Sequence, residues 1–297
     1  MSIAQDRCRE CLGRLAECGR DLFFYAGLLS RENVLQFYPL LEEAARRERP
    51  NASLVLTTYG GDPHQAYRLA RFFRDAYESF RLVVLGPCKS AGTLVAVGAD
   101  ELAMGPHGEL GPLDVQIPER DTLAKWTSGV DTAGALATIQ AEAHRCLADC
   151  MQSLVLQFGQ TASAKTVCEA ATSFVSGLFA PIVSRIDPQQ LAAVERKIDI
   201  AAAYARQLGA PNIQPPTSEG ATLERLVRGY PSHRHIIDQT EARRLFQIVD
   251  MPSDEELLLL QVHPEQVLEP VMTGSPVICD LVSVLESIAE RVYHDEA

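Results

Sequence analysis

Basic residues are scarce in this chain: 27 Lys and Arg stand against 39 Asp and Glu, a net charge of −12. Phosphate contacts need a cationic face, so nucleic acid is a poor partner. An anionic membrane surface is a poor one for the same reason. Long apolar runs are also missing, and none approaches the ~20 residues of a membrane-spanning helix. The opening stretch MSIAQDRCRECLGRLAECGRD has neither a long apolar core nor a small-residue cleavage site. It reads as carrying no secretion signal, and the chain is expected in the cytoplasm, where thiols stay reduced. There is no Gly-x4-Gly-Lys-Ser/Thr loop, so any ATP dependence would come from a chaperone or ATPase partner. No internal repeat or low-complexity tract interrupts the chain.

What is present is an ordinary globular composition. Hydrophobic residues make up 46% of 297 and charged residues 22%, enough to bury a sizeable core in one large domain or two modest ones. Eight cysteines need a reading. Cys8, Cys11 and Cys18 share one helical face with Leu15, and Cys146 and Cys150 are an i, i+4 pair. These spacings do not form paired C-x2-C knuckles, so no metal is expected. Free cysteine on an amphipathic helix behaves as a small apolar residue.

The first 118 residues alternate strand-like and helix-like segments. A first helix runs to about Gly19, and Leu22–Tyr25 is a short apolar strand. A helix over 31–47 is broken or kinked at Pro39. Ser53–Thr58 is β-branched and apolar, a second strand ending at Gly60-Gly61. Asp62 then reads as an N-cap and Pro63 as a first helical residue. The pattern repeats with a strand at Leu82–Leu85, a small-residue helix at Ala91–Ala99 opened by Ser90, and a strand at Glu101–Met104. Such alternation means crossover units, an α/β fold and a mostly parallel sheet.

Beyond Ile117 helices are expected at about 132–158, 163–180 and 188–208, and again at 219–229 and 241–246. Four regions follow: an α/β core over 1–118, a helical insertion over 119–215, a return to the core over 216–250, and a helical tail over 251–297. In the tail, Ser275 and Pro276 open a helix with Val277, Leu281, Val284, Leu285, Ile288 and Val292 on one face.

The chemistry belongs at two strand-to-helix turns, because ligands of parallel α/β sheets bind at the carboxyl ends of the strands. Glycines at 60 and 61 let backbone N–H groups approach a substrate closely. Ser90 places a hydroxyl at a helix N-terminus, where a developing oxyanion is favoured. Two N–H groups, from Gly61 and from Ala91 just after the serine, would share one carbonyl oxygen, the geometry acyl transfer needs. Each piece also has a structural reading. A Gly-Gly after a strand is often only a turn, and a Ser before an apolar helix is often only an N-cap.

Longer segments carry a resemblance. TTYGGDPHQAYRLARFF looks like the glycine-turn segment of the ClpP/crotonase superfamily. CKSAGTLVAVGADELAMGPHGELGPLDVQ is similar to the serine segment of its SppA-like and serine dehydrogenase proteinase (SDH) branch. FAPIVSRIDPQQLAAVERKIDIAAAYARQL and YPSHRHIIDQTEARRLFQIVD resemble later parts of that branch. The resemblance covers about 20–118 and 160–250, and implies a ClpP/crotonase-like fold and a cytoplasmic serine peptidase acting on a peptide or protein. It implies Ser90 as nucleophile, with Gly61 and Ala91 at the oxyanion-hole positions and Gly60 beside them.

The base stays open. The His that Clp-type peptidases carry near Leu113-Asp114 is absent. A rearranged triad would use His233 as base with Asp114 orienting it, since triads are defined by geometry and not by order. A Ser–Lys dyad would use Lys125, whose pKa Trp126 could lower by desolvation, although Lys125 sits in a polar stretch. Lys89 is set aside because adjacent side chains point apart. Relatives assemble into rings or stacked trimers, which implies a homo-oligomer through the helical insertion or the C-terminal helix. No cofactor is required. Two rivals stand beside the peptidase: a crotonase-type acyl-CoA enzyme using the same N–H pair without a nucleophilic serine, and an inactive oligomeric scaffold.

Overall fold

Ser30 ends the first loop as an N-cap, its hydroxyl accepting from the Asn33 N–H at 3.2 Å, and that pairing starts the first crossover helix. The computed structural model describes residues 14, 19–113, 116–118, 126–214, 216–257, 264–270, 275–280 and 282. The leading elements are β1 (Arg20–Ala26), α1 (Arg31–Ala45), β2 (Asn51–Thr57), α2 (Pro63–Ala76), β3 (Ser79–Val84), β4 (Pro87–Cys88), α3 (Ala91–Gly98), β5 (Glu101–Met104) and β6 (Glu109–Leu110). Pro39 does not break α1, which runs through it. The carbonyl its missing N–H would have met belongs to Leu35, an exposed residue that water can serve.

The chain divides into two compact units, residues 1–114 with 199–297, and residues 115–198. The second holds the short antiparallel pair β7 (Gln116–Pro118) and β8 (Trp126–Ser128), then α4 (Gly129–Phe158), α5 (Ala164–Val183) and the first half of α6 (Pro188–Gln207). The expectation that no apolar run approaches membrane-spanning length needs correction at α5, which with 20 residues is long and apolar enough to cross a membrane by length and composition. The unit over 115–198 falls largely within the region expected as an insertion over 119–215. Ala201, Ala205 and Leu208 are buried in the first unit, because α6 turns an apolar face inward there. Cys8, Cys11 and Cys18 lie outside the described residues.

The chain returns through α7 (Pro216–Arg228), α8 (Gln239–Leu245), β9 (Val249–Asp250), α9 (Asp254–Leu257), α10 (Pro264–Leu268) and β10 (Val277–Asp280). The tail reading needs correction here. Val277–Asp280 is a strand, not the start of a helix, and it pairs antiparallel with β1 from Phe23↔Asp280 to Ala26↔Val277. The helical spacing of its apolar residues is real. The outer edge of β1 offers unpaired backbone groups, and the β-branched Val-Ile pair takes them up.

The sheet has six strands in the order β10-β1-β2-β3-β5-β9, parallel except for β10. Strands β1, β2, β3 and β5 are neighbours in chain order, so right-handed crossovers put their helices on one face. Phe23 and Tyr25 point there, meeting Phe37 of α1 at 5.9 and 5.6 Å, and Phe73 of α2 lies 5.5 Å from Phe23 and stacks on Phe80 at 4.5 Å. The alternate residues Leu22, Phe24, Ala26, Val55, Val83 and Ala103 bury the opposite face against Val267 and Val282. The two-residue period of the strands thus gives two apolar layers. All the parallel strands end on the same side, where the loops after β2 and β3 meet.

Candidate active site

A second, short ladder runs across the carboxyl ends of the main strands. Thr58 bridges Cys88 in parallel, Cys88 pairs with Leu110 in parallel, and Leu110 bridges Ile237 in antiparallel. Its bonds are close: Thr58 N–H to the Pro87 carbonyl at 2.8 Å, Lys89 N–H to the Thr58 carbonyl at 2.8 Å, and a reciprocal Leu110–Ile237 pair at 3.0 Å. The residues just before the glycine turn, those just before Ser90, and the segment after His233 therefore share one ladder.

Ser90 sits at the turn into α3 with φ 51° and ψ −111°. A serine held at positive φ stores about 1–3 kcal/mol of strain, which the surrounding ladder must hold. The N-cap reading asks its hydroxyl to satisfy an N–H of the first helical turn, and no such side-chain cap bond forms. Ser90 thus stands in a strained conformation at a sharp strand-to-helix turn, the local backbone setting that a nucleophile elbow also has. Ser90 is half-buried.

Gly60 is pressed against it. A Cβ on Gly60 would stand 2.8 Å from Ser90 Cβ and 3.2 Å from its Oγ. The Gly60 N–H is already used by Thr58 Oγ1 at 3.0 Å. The loop after β1 clamps the rest of the turn: Leu29 N–H donates to the Gly60 carbonyl at 2.9 Å, and Asp62 N–H donates to the Leu29 carbonyl at 2.8 Å. That alternation leaves Gly61, which is exposed, with an N–H that meets no acceptor among the described residues. The Ala91 N–H, first of α3, likewise meets none among them. A Cβ at Gly61 would stand 2.6 Å from the Leu29 carbonyl oxygen, and φ there is +141°, so glycine is required.

Neighbours brace the serine turn. Thr93 Oγ1 donates to the Gly111 carbonyl at 2.7 Å and accepts the Gly111 N–H at 3.2 Å. Buried Lys89 reaches away to the Glu109 carboxylate at 2.7 Å, so it ties β6 to the turn and is not a base for Ser90. Cys88 is no rival nucleophile. It is fully buried, and burial pushes its thiol well above the usual range, so it stays protonated.

His233 is buried and lies four residues before Ile237, on the segment the ladder brings in. Asp114 and Lys125 lie outside the described residues. His235 stacks on Tyr230 at 4.6 Å with Nε2 3.3 Å from Glu241, a structural arrangement. His64 is exposed in the first turn of α2, and its Nδ1 lies 2.6 Å from the Tyr204 hydroxyl. Sequence reasoning missed Leu29, Thr58, Thr93 and Tyr204. None carries a local signal, since each matters through a partner distant in the chain. Among the described residues no three His, Cys, Asp or Glu side chains gather as a metal site.

No protein-family model and no curated protein matches the chain. Among solved structures, a mutant of the 1510-N membrane-bound stomatin-specific protease is similar with a TM-score of 0.32 and 16% identity. The match spans 49% of this chain and 66% of that one, just under two thirds of its length. At that score the likeness assigns neither family nor activity, and the functional argument rests on the residues of this chain.

Proposed function

We propose that the protein is a serine hydrolase of ClpP/crotonase-like fold that cleaves peptide bonds through an acyl-enzyme on Ser90. The observation that carries this reading is the strained backbone of Ser90 at the turn into α3, packed on Gly60, with a Gly61 N–H that meets no acceptor among the described residues. Attack of Oγ on a peptide carbonyl forms a tetrahedral oxyanion, which the N–H groups of Gly61 and Ala91 stabilise. The base takes the Oγ proton and returns it to the leaving amine as the C–N bond breaks. Water then cleaves the ester and frees the serine. His233, oriented by Asp114, fills the role of base in this reading, and Lys125 is its rival. The helical unit 115–198 serves self-association. Phe174, Leu178, Ile182 and Val183 are exposed on α5, and Val167 and Ala171 are its buried residues.

A fluorophosphonate probe tests the reading. Labelling mapped to Ser90 by mass spectrometry, and lost in Ser90→Ala, is the expected result. No labelling of a folded protein overturns it; coenzyme A binding by calorimetry would then favour the crotonase-type alternative, and neither signal would leave the scaffold. Comparing Lys125→Ala with His233→Ala identifies the base as the residue whose loss abolishes labelling while the protein stays folded.

A further inference from the structure

One cluster of side chains beside the candidate site has no part in the chemistry above. His64 lies three residues after Gly61, in the first turn of α2, and is exposed. Its ring meets Tyr204 of α6 edge-on at 5.4 Å between centroids, and Nδ1 lies 2.6 Å from the Tyr204 hydroxyl. Tyr67, one turn further along α2, stacks on Tyr204 at 4.3 Å with 19° between the ring planes. Both tyrosines are half-buried. Three rings are thus fixed against one another, with the imidazole outermost.

This is not how a solvated surface histidine behaves. An exposed side chain ordinarily keeps its rotamer freedom, whereas this one is held by a hydrogen bond and a ring contact at once. Fixing it in advance removes part of the ordering cost a ligand would otherwise meet. The cluster also begins one helical turn from the backbone N–H that would receive a scissile carbonyl oxygen. A peptide whose carbonyl engaged Gly61 would have a neighbouring side chain passing over this part of α2.

We infer that His64, held by Tyr204 and backed by Tyr67, forms a substrate side-chain subsite that favours an aromatic residue next to the scissile bond. The inference rests on the acyl-enzyme reading of Ser90. Imidazole and phenol rings attract another aromatic ring in offset-stacked or edge-to-face contact, beyond what burial alone contributes. Aliphatic side chains bury area on the same surface but lack that directional gain. The preference is therefore one of ring over alkyl.

The test uses the full chain and two phosphonofluoridate probes that differ in one group, benzyl in one and ethyl in the other. The rate of Ser90 labelling is measured for each by mass spectrometry, and the benzyl-to-ethyl ratio is the readout. In the parent protein the benzyl probe should react faster. His64→Ala should lower the ratio about two- to tenfold, the range expected for losing one aromatic pair. Tyr204→Phe keeps every ring but releases the imidazole, and should lower the ratio by less. A cluster that only pins α6 to α2 would change melting temperature and both labelling rates together, leaving the ratio where it was, and that result overturns the subsite. Labelling by neither probe in the parent protein sinks the acyl-enzyme reading and the subsite with it. Equal labelling by both sinks the subsite alone.

Discussion

Gly60 and Ser90, thirty positions apart, are packed so that a single added carbon would bring them into collision: the missing Cβ of Gly60 would lie 2.8 Å from Ser90 Cβ. Two loops from two different crossovers meet at that contact. The two loops can pack this closely because the glycine has no side chain there, and φ of +115° at Gly60 would itself strain any other residue.

Gly60→Ala should therefore both destabilise the fold and disturb the serine. Backbone strain alone is worth about 1–3 kcal/mol. The clash is with the serine's own Cβ, so probe labelling at Ser90 should fall more than the loss of folded protein explains. Chemical denaturation and labelling on the same sample check this.

Thr93→Val changes shape little and removes one hydroxyl. The Gly111 N–H and carbonyl both bond that hydroxyl, at 3.2 and 2.7 Å, and would be left unpaired in a buried place. The expected cost is about 1–3 kcal/mol. Urea denaturation measures it, and a change under 0.5 kcal/mol would mean that water reaches Gly111.

At the other end of the sheet, Asp21 is buried among Tyr77, Arg47 and Arg49, and Arg47 also holds Asp280 of β10. Desolvation raises the Asp21 pKa above its ordinary 3.8, outweighing the help of the Tyr77 hydroxyl and the arginines. A raised folded value means the proton is bound more tightly in the folded state. The resulting stability is fully present below 3.8 and is lost as pH rises through the folded value. The stability of the parent protein relative to Asp21→Asn should thus decline from about pH 4 upward. Melts of both at several pH values check the sign, and a difference that grows with pH would contradict it.

Phe174 and Leu178 are 58% and 50% exposed on α5 and are apolar. If the helical unit is the self-association surface, Phe174→Asp with Leu178→Asp should lower the mass seen by sedimentation without unfolding the helices. An unchanged mass would move the interface elsewhere.

The sequence by itself determined the features whose signals are local. Strand–helix alternation, the Asp62-Pro63 helix start and the apolar run at Glu101–Met104 all appear where patterning puts them. The two turns were legible for the same reason, since glycine pairs and a serine before an apolar helix announce a backbone conformation within a few residues. Tertiary structure alone decided the rest. Val277–Asp280 carries helical spacing yet becomes a strand, because β1 presents an open edge and Arg47 waits for Asp280. Half of α6 joins the core because its apolar face has a place to be buried there. The ladder that joins Cys88 to Leu110 and Leu110 to Ile237, and with it the approach of the His233 segment, is written in no local pattern. A hydrogen bond between residues more than a hundred positions apart depends on where the whole chain has carried both ends, and short-range spacing holds no record of that.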